Sequence, residues 1–147
     1  MKRNSAFTLV EILIVVIILG ILAAIVIPQF TQASSDARTS ALASDLQTVR
    51  SQLELYKIQH LDVYPAAASF ITLLTNRTNQ AGTTGTDPNS FPYGRYLMKF
   101  PTNPFVTNSN ANAVETGTGS GGGGDYGWYF NTSTGKFTPD DDAHTSL

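Results

Sequence analysis

One carboxylate stands in an otherwise uncharged apolar run near the start of the chain. From Phe7 to Ile27 the sequence reads FTLVEILIVVIILGILAAIVI, 21 residues whose only ionisable side chain is Glu11. A lone carboxylate in an apolar helix costs roughly 2.5 to 3.5 kcal/mol on membrane-insertion scales. Glu11 therefore predicts a specific cationic partner at the same depth, and its chemistry would be ion pairing.

The nearest source of a cation is the start of the same segment. If the chain is cut between Ala6 and Phe7, the freed α-amino group of Phe7 lies about one helical turn from Glu11. A neighbouring copy staggered by about one turn would then place its Phe7 amine against Glu11. Removing one partner of a buried ion pair costs about 3 to 5 kcal/mol. We therefore predict that this pair sets the stagger at which copies of the chain assemble.

The apolar run is long enough to cross a membrane. A helix of this length rises roughly 31 Å, which matches a hydrocarbon core of about 30 Å. Lys2 and Arg3 precede the run, and the first cation after it is Arg38. The excess of positive charge on the cytoplasmic side of membrane proteins then predicts a cytoplasmic N-terminus, with the rest of the chain across the membrane.

Two other interpretations of this segment stay open. A basic start, an apolar stretch and small residues are also the ingredients of a secretory signal peptide, here cut near Ala23 and Ala24. A plain membrane anchor would look similar. Neither has a use for Glu11, so the carboxylate favours assembly over both.

Composition limits the remaining functions. A chain of 147 residues has room for one small globular domain beside the membrane segment. Cysteine is absent, which excludes disulfides, thiolate nucleophiles and cysteine-ligated zinc. A net charge of −2 with 14% charged residues provides no large basic patch. We therefore expect protein partners and no direct nucleic-acid binding.

Beyond Pro28 the sequence predicts that the helix continues. Its apolar residues recur at spacings of three and four, which is typical of one face of an amphipathic helix. They are Phe30, Ala33, Ala37, Ala41, Leu42, Leu46, Val49, Leu53 and Tyr56. We predict one helix from Thr8 to Gln59, ended by the run DVYP because a residue before proline is extended. The apolar face would pack on the protein's own sheet; a coiled coil is the other possibility.

The rest of the chain predicts a small head. A short helix is expected over AAASFITLLT, and aromatic runs separated by polar turn residues predict strands. The candidate strands are Tyr96–Met98, Tyr126–Phe130 and Lys136–Pro139, the last two joined by an NTSTG hairpin turn. The predicted fold class is α+β, with a long N-terminal helix packed against a small antiparallel sheet.

The stretch SAFTLVEILIVVIILGILAAIVIP resembles the class III signal and N-terminal helix of type IV pilins and type II secretion pseudopilins. This resemblance covers Lys2 to Pro28. It implies cleavage by prepilin peptidase, N-methylation at Phe7, and Glu11 as the assembly carboxylate. The family usually has Gly before the cut, where this chain has Ala6; alanine is small enough that we expect cleavage there. Gly20 and Pro28 stand at the family's helix-weakening positions, which implies partial unwinding between them in the filament; close helix packing or a modest kink is the other interpretation of each.

Two later runs, ELYKIQHLDVYP and GRYLMKFPTNPF, are similar to the major pseudopilin type, although that type often has GPYL where this chain has GRYL. The resemblance implies a prepilin leader (1–6), a transmembrane and assembly helix (7–28), and an amphipathic helix with a periplasmic α+β head (29–147). The implied partners are other copies of the chain, prepilin peptidase, the inner-membrane assembly platform and minor pilins or pseudopilins. The polymer would be a pseudopilus or a pilus. The rival function is a membrane-tethered periplasmic binding module that never polymerises.

The sequence contains no convincing catalytic motif. A formal G-x-G-x-x-G occurs at Gly117, Gly119 and Gly122, but no hydrophobic strand precedes it and no helix follows, so a flexible loop is favoured over a phosphate site. The two histidines, His60 and His144, have no second ligand at metal spacing, and no activated nucleophile is visible. We predict that the protein is not an enzyme.

Calcium is the one cofactor that the resemblance raises. Major pseudopilins often hold one calcium ion in a C-terminal loop through Asp side chains and backbone carbonyls. The candidate ligands here are Asp125, Asp140, Asp141 and Asp142, which offer the hard oxygen atoms that calcium prefers. The family's loop is not reproduced, however, and three adjacent acids near a chain end are typical of a solvated tail.

Overall fold

The computed structural model describes residues 8–147, and its contacts divide the chain into two units, Met1–Thr39 and Ser40–Leu147. Helix α1 spans Leu9–Gln59, with Pro28 inside it. The prediction of one helix from Thr8 to Gln59 is therefore confirmed to within one residue. Helix α1 contributes residues to both units.

Helix α1 ends at a left-handed turn. Leu61 and Asp62 have φ angles of 56° and 66°, and the Asp62 amide donates to the Lys57 carbonyl at 3.0 Å. The Asp62 carboxylate also lies 3.3 Å from the Lys57 ammonium, at the C-terminal end of the helix where a cation is favoured. The helix thus stops just before the predicted DVYP run.

The C-terminal part of the predicted apolar stripe forms one side of the head's core. Its buried members are Leu42, Leu46, Val49, Leu53 and Tyr56. They share one hydrophobic cluster with aromatic residues of the head, including Trp128, Phe130 and Phe137. Full burial of a side chain of this size contributes about 1.5 to 3 kcal/mol. This part of the stripe therefore packs on the protein's own head, as predicted. The other predicted members are exposed: Phe30, Ala33, Ala37 and Ala41.

The predicted second helix is present in two pieces. A 3₁₀ turn covers Ala67–Ser69, and helix α2 follows at Phe70–Thr75. Phe70, Leu73 and Leu74 of α2 are buried in the core. The short helix therefore adds apolar side chains to the same cluster as α1's stripe residues.

The strands form two small sheets. Strands β1 (Arg77–Thr78) and β2 (Thr84–Gly85) pair antiparallel. In the second sheet, β3 (Val114–Gly117) pairs parallel with β4 (Trp128–Asn131). Strand β4 also pairs antiparallel with β5 (Phe137–Pro139). The α+β class is confirmed, but the main sheet is mixed and not purely antiparallel.

The β4–β5 hairpin lies where the NTSTG turn predicted it. The Asn131 side-chain oxygen accepts the amides of Ser133 and Thr134, each at 2.9 Å. Gly135 closes the turn with φ 73°. Asn131 suits the turn because its side chain accepts local backbone hydrogen bonds, and Gly135 suits it because glycine readily adopts a positive φ.

The predicted strand Tyr96–Met98 is wrong. The amides of Tyr96 and Leu97 both donate to the Leu74 carbonyl, at 3.0 and 2.9 Å, so this segment bends over the end of α2. Tyr96 and Leu97 are also both buried. The apolar content of this run reflects core packing, not strand pairing.

Arg50 ties the C-terminal segment to α1. Its Nε donates to the Phe137 carbonyl and its Nη2 to the Leu147 carbonyl, both at 3.0 Å. Because a lysine ammonium cannot reproduce this fork, we expect Arg50→Lys to lower the free energy of unfolding by about 1 kcal/mol. The fluorescence of Trp128, the only tryptophan, reports urea unfolding. Arg38→Lys, at an exposed position of α1, is the control, and equal unfolding midpoints for the two variants would contradict this role.

Candidate assembly site

Helix α1 begins with a reciprocal cap between Thr8 and Glu11. Glu11 Oε2 accepts the Thr8 amide and the Thr8 hydroxyl, each at 2.8 Å, and the Glu11 amide donates to Thr8 Oγ1 at 3.3 Å. This is a capping box, in which Thr at the N-cap and Glu three residues later satisfy each other's backbone donors. Sequence reasoning missed this second role of Glu11, although T-x-x-E before an apolar run is its signal.

The cap leaves part of the Glu11 carboxylate available. Both accepted bonds end on Oε2, and within residues 8–147 Oε1 accepts no hydrogen bond. The acid can therefore cap its own helix and still face a cation from another chain. Ala6 and Phe7 lie outside the described residues, so the cleavage point and the amine partner stay predictions.

The apolar part of α1 exposes hydrophobic side chains in all directions. The large residues between Leu9 and Ile27 are 42% to 81% exposed. By length and composition α1 is able to cross a membrane, with a mean hydropathy of 3.3 over its most apolar window. A helix that is apolar all round belongs in a bilayer or in the interior of an assembly. This surface is the candidate membrane and filament contact.

Gly20 and Pro28 do not interrupt α1 in the single chain. The helix is continuous through both positions. Proline has no amide to donate to the carbonyl one turn earlier, and a Cβ added at Gly20 would meet no atom within 4 Å outside the neighbouring backbone of its own helix. The segment between them thus has one missing hydrogen bond, while its unwinding in a filament stays a prediction.

The four candidate calcium ligands do not converge. Asp140 and Asp141 are buried, whereas Asp125 and Asp142 are exposed. The Asp140 carboxylate accepts backbone amides, and Asp141 is bonded by the Asn103 side-chain amide and by His144. Across residues 8–147, no three His, Asp or Glu side chains form a set able to hold a metal. The described residues therefore supply no cluster of three acidic side chains for a calcium ion.

Both histidines pack against and hydrogen-bond to other residues of the head. The ring of His60 stacks on Tyr56 at 3.7 Å between centroids, and its two nitrogens lie 2.8 Å from the Tyr56 carbonyl and 3.1 Å from Thr78 Oγ1. Tyr96 packs edge-on against this stack, and burial raises the pKa of the Tyr96 hydroxyl. His144 bonds Asp141 and packs on Phe105. Each ring is thus engaged in holding neighbouring segments together.

Asn103 is a buried polar residue whose role sequence reasoning missed. Its backbone amide donates to the Ala111 carbonyl at 2.8 Å. Its side-chain Nδ2 donates to the Gly127 carbonyl and to Asp141 Oδ2, both at 2.9 Å. Its Oδ1 accepts the Phe105 amide at 2.9 Å. Asn103 thereby joins its own segment to three others in the head. The Asn-Pro dipeptide indicates a turn at this position but does not indicate those distant partners.

Comparison with known proteins identifies the family. The family described as "Prokaryotic N-terminal methylation motif" matches residues 1–27. The type II secretion system core protein G of Pseudomonas aeruginosa is 32% identical over 104 residues, which are 71% of this chain and 70% of that protein. The Aeromonas hydrophila core protein G is 31% identical over 104 residues, 71% of this chain and 69% of that protein.

A shorter match reaches a pilus protein. A fimbrial protein of Pseudomonas aeruginosa is 33% identical over 67 residues, 46% of this chain and 44% of that protein. No solved structure matches the chain. The likeness to core protein G thus extends well into the head, and on this extent the chain belongs to the family of type II secretion major pseudopilins, which are structural proteins and not enzymes.

Proposed function

We propose that the chain is the repeating subunit of a type II secretion pseudopilus. The leader is removed between Ala6 and Phe7 by prepilin peptidase, Phe7 is N-methylated, and copies polymerise through α1. The observation that carries this proposal is Glu11, the single carboxylate of the apolar run, at the start of a helical segment, Leu9 to Ile27, whose large apolar side chains are exposed all round. The match of the methylation motif to residues 1–27 supports the processing step.

The polymerisation step follows from the cost of an unpaired carboxylate. A subunit entering the filament brings a Phe7 amine, and the lowest-energy register places it at the Glu11 of a subunit already in place. Four residues of helix correspond to about 6 Å of axial displacement. Apolar contact between helices then adds lateral cohesion, while the ion pair sets the register.

The same segment supports a location and a set of partners. Before assembly the subunit crosses the bacterial inner membrane once, with residues near Lys2 and Arg3 in the cytoplasm and the head in the periplasm. Extraction from the bilayer requires the inner-membrane assembly platform, and minor pseudopilins join the same polymer. The growing filament would move exported proteins toward the outer membrane.

A type IV pilus is the second candidate, favoured by the match to the fimbrial protein. That match covers 46% of this chain, whereas the match to core protein G covers 71%. The larger coverage favours the pseudopilus. Deleting the gene in its host separates the two, since exported enzymes accumulate in the periplasm in one case and surface pili disappear in the other.

Cysteine cross-linking tests assembly directly because the natural chain has no cysteine. Two copies carrying Val10→Cys and Ile14→Cys are expressed together and treated with a short thiol cross-linker. We expect covalent dimers from this pair and few from Val10→Cys with Ile25→Cys, whose offset is about 22 Å along the helix. Solitary chains at high membrane density would favour the tethered binding module instead.

Mass spectrometry of the same preparation tests processing. N-methyl-Phe7 as the first residue is expected from prepilin peptidase. A chain that retains Met1 would contradict the proposal, and one that begins at Ile25 would indicate a secretory signal peptide.

A further inference from the structure

We propose that the loop Gly117–Gly124, the glycine loop, is an anion-binding site formed by backbone amides, and that its resident anion is the carboxylate of Asp140. The head therefore holds this loop without a divalent cation. The proposal concerns the head alone and does not depend on polymerisation. It also gives the glycine-rich run a function that the phosphate motif did not provide.

The carboxylate of Asp140 is fully buried and is surrounded by backbone donors. Its Oδ1 accepts the amides of Gly122 at 2.7 Å and Gly123 at 3.4 Å, and its Oδ2 accepts the amide of Tyr126 at 3.3 Å. The Gly124 amide donates to the backbone carbonyl of Asp140 at 2.8 Å. Successive backbone amides that converge in this way form a concave site for negative charge.

The glycines allow the backbone to take this shape. Gly121 has φ 70°, and a Cβ there would lie 2.7 Å from Cγ of Tyr129, whose ring packs under the loop. Gly122 has φ 97°, a conformation that L side chains rarely adopt. Larger residues at these positions would therefore move the amides away from Asp140.

The donors at this site are wrong for calcium. Calcium takes six to eight oxygen ligands, but both oxygens of Asp140 face N–H groups, whose positive ends would repel a cation. The neighbouring Asp141 carboxylate is bonded by Asn103 and His144. Both acids thus already accept hydrogen bonds from the protein, Asp140 from backbone amides and Asp141 from two side chains. In this chain the amides therefore compensate the buried charge that a cation would otherwise neutralise.

Thermal unfolding of the full chain in detergent, followed by Trp128 fluorescence, tests the proposal. We expect Asp140→Ala to lower the melting temperature by roughly 10 °C, because a buried charged hydrogen-bond acceptor is lost. The matched control is Asp142→Ala, an exposed acid two residues away, which should melt like the natural chain. Sodium formate should raise the melting temperature of Asp140→Ala toward that of the control, whereas sodium chloride at equal ionic strength should not.

The natural chain supplies the second measurement, which holds even if Asp140→Ala does not fold. Its melting temperature should be the same with a chelator and with added calcium. A drop on chelation that calcium restores would overturn the proposal. Equal melting of the Asp140→Ala and Asp142→Ala variants, or a folded Asp140→Ala chain that formate does not stabilise, would also overturn it.

Discussion

Glu11→Gln is expected to leave a processed, membrane-resident subunit whose filament yield falls by 100-fold or more. The substitution keeps the size of the side chain and removes its charge, so the Phe7 amine of the neighbouring subunit meets no anion. A buried charge left without its partner costs about 3 to 5 kcal/mol, and each 1.4 kcal/mol is about tenfold in an equilibrium constant. The sheared filament fraction, measured by immunoblot, gives the yield.

The capping box makes this substitution informative. Glutamine serves at the third helical position of a capping box as glutamate does, so Glu11→Gln retains the helix start and loses only the charge. Thr8→Val is the reciprocal control: it removes the hydroxyl that bonds Glu11 and keeps the acid. Loss of an N-cap costs about 1 kcal/mol, and we expect near-normal filament yield from this variant.

The two variants separate charge from helix capping. Normal filament yield from Glu11→Gln would exclude the ion pair as the determinant of register. An equal loss from Thr8→Val and Glu11→Gln would mean that the helix start, not the charge, limits assembly. Mass spectrometry of the N-terminus in both variants shows whether processing still occurs.

Asn103→Asp is expected to destabilise the head by about 3 to 5 kcal/mol, a large part of the stability of an ordinary domain. The substitution is nearly isosteric, but it replaces the two Nδ2 donor bonds with an acceptor. The new oxygen would face the Gly127 carbonyl and the Asp141 carboxylate, so buried acceptors lose their donor and a like charge is added. Urea unfolding followed by Trp128 fluorescence measures the loss.

A control variant and the pH dependence of the effect test this prediction. Asn112→Asp makes the same chemical change at an exposed position of the same region and should have little effect. The introduced carboxyl is harder to ionise in the folded head than in the unfolded chain, so the destabilisation should grow as the pH rises above the unfolded pKa. A loss of stability that is the same for both variants, or that does not vary with pH, would contradict the role of Asn103.

Features carried by local pattern were predictable from the sequence. Helix α1, its buried stripe from Leu42 to Tyr56 and the turn after Asn131 all depend on residues within a few positions of one another. The spacing of apolar residues and the identity of turn residues are therefore sufficient to indicate them.

Features that depend on distant segments were not predictable. Strand β3 pairs parallel with β4 across the glycine loop, and no local rule specifies that register. Tyr96 and Leu97 resemble a strand by composition, but the Leu74 carbonyl accepts a hydrogen bond from the backbone amide of each. In the sequence Asp140 is typical of a solvated acidic tail, but in the fold it is buried because its carboxylate packs against the backbone amides of the glycine loop. In each case the deciding partner lies far away in sequence.

The apolar cylinder from Leu9 to Ile27 has a consequence for how subunits recognise each other. Because its exposed side chains are similar on every side, neighbours can approach from several directions without preference for one face. Such a surface has no azimuthal specificity and allows sliding along the axis at little cost. In the proposed filament the axial register would then depend on Glu11, and without its charge the remaining apolar contacts would define no single subunit spacing.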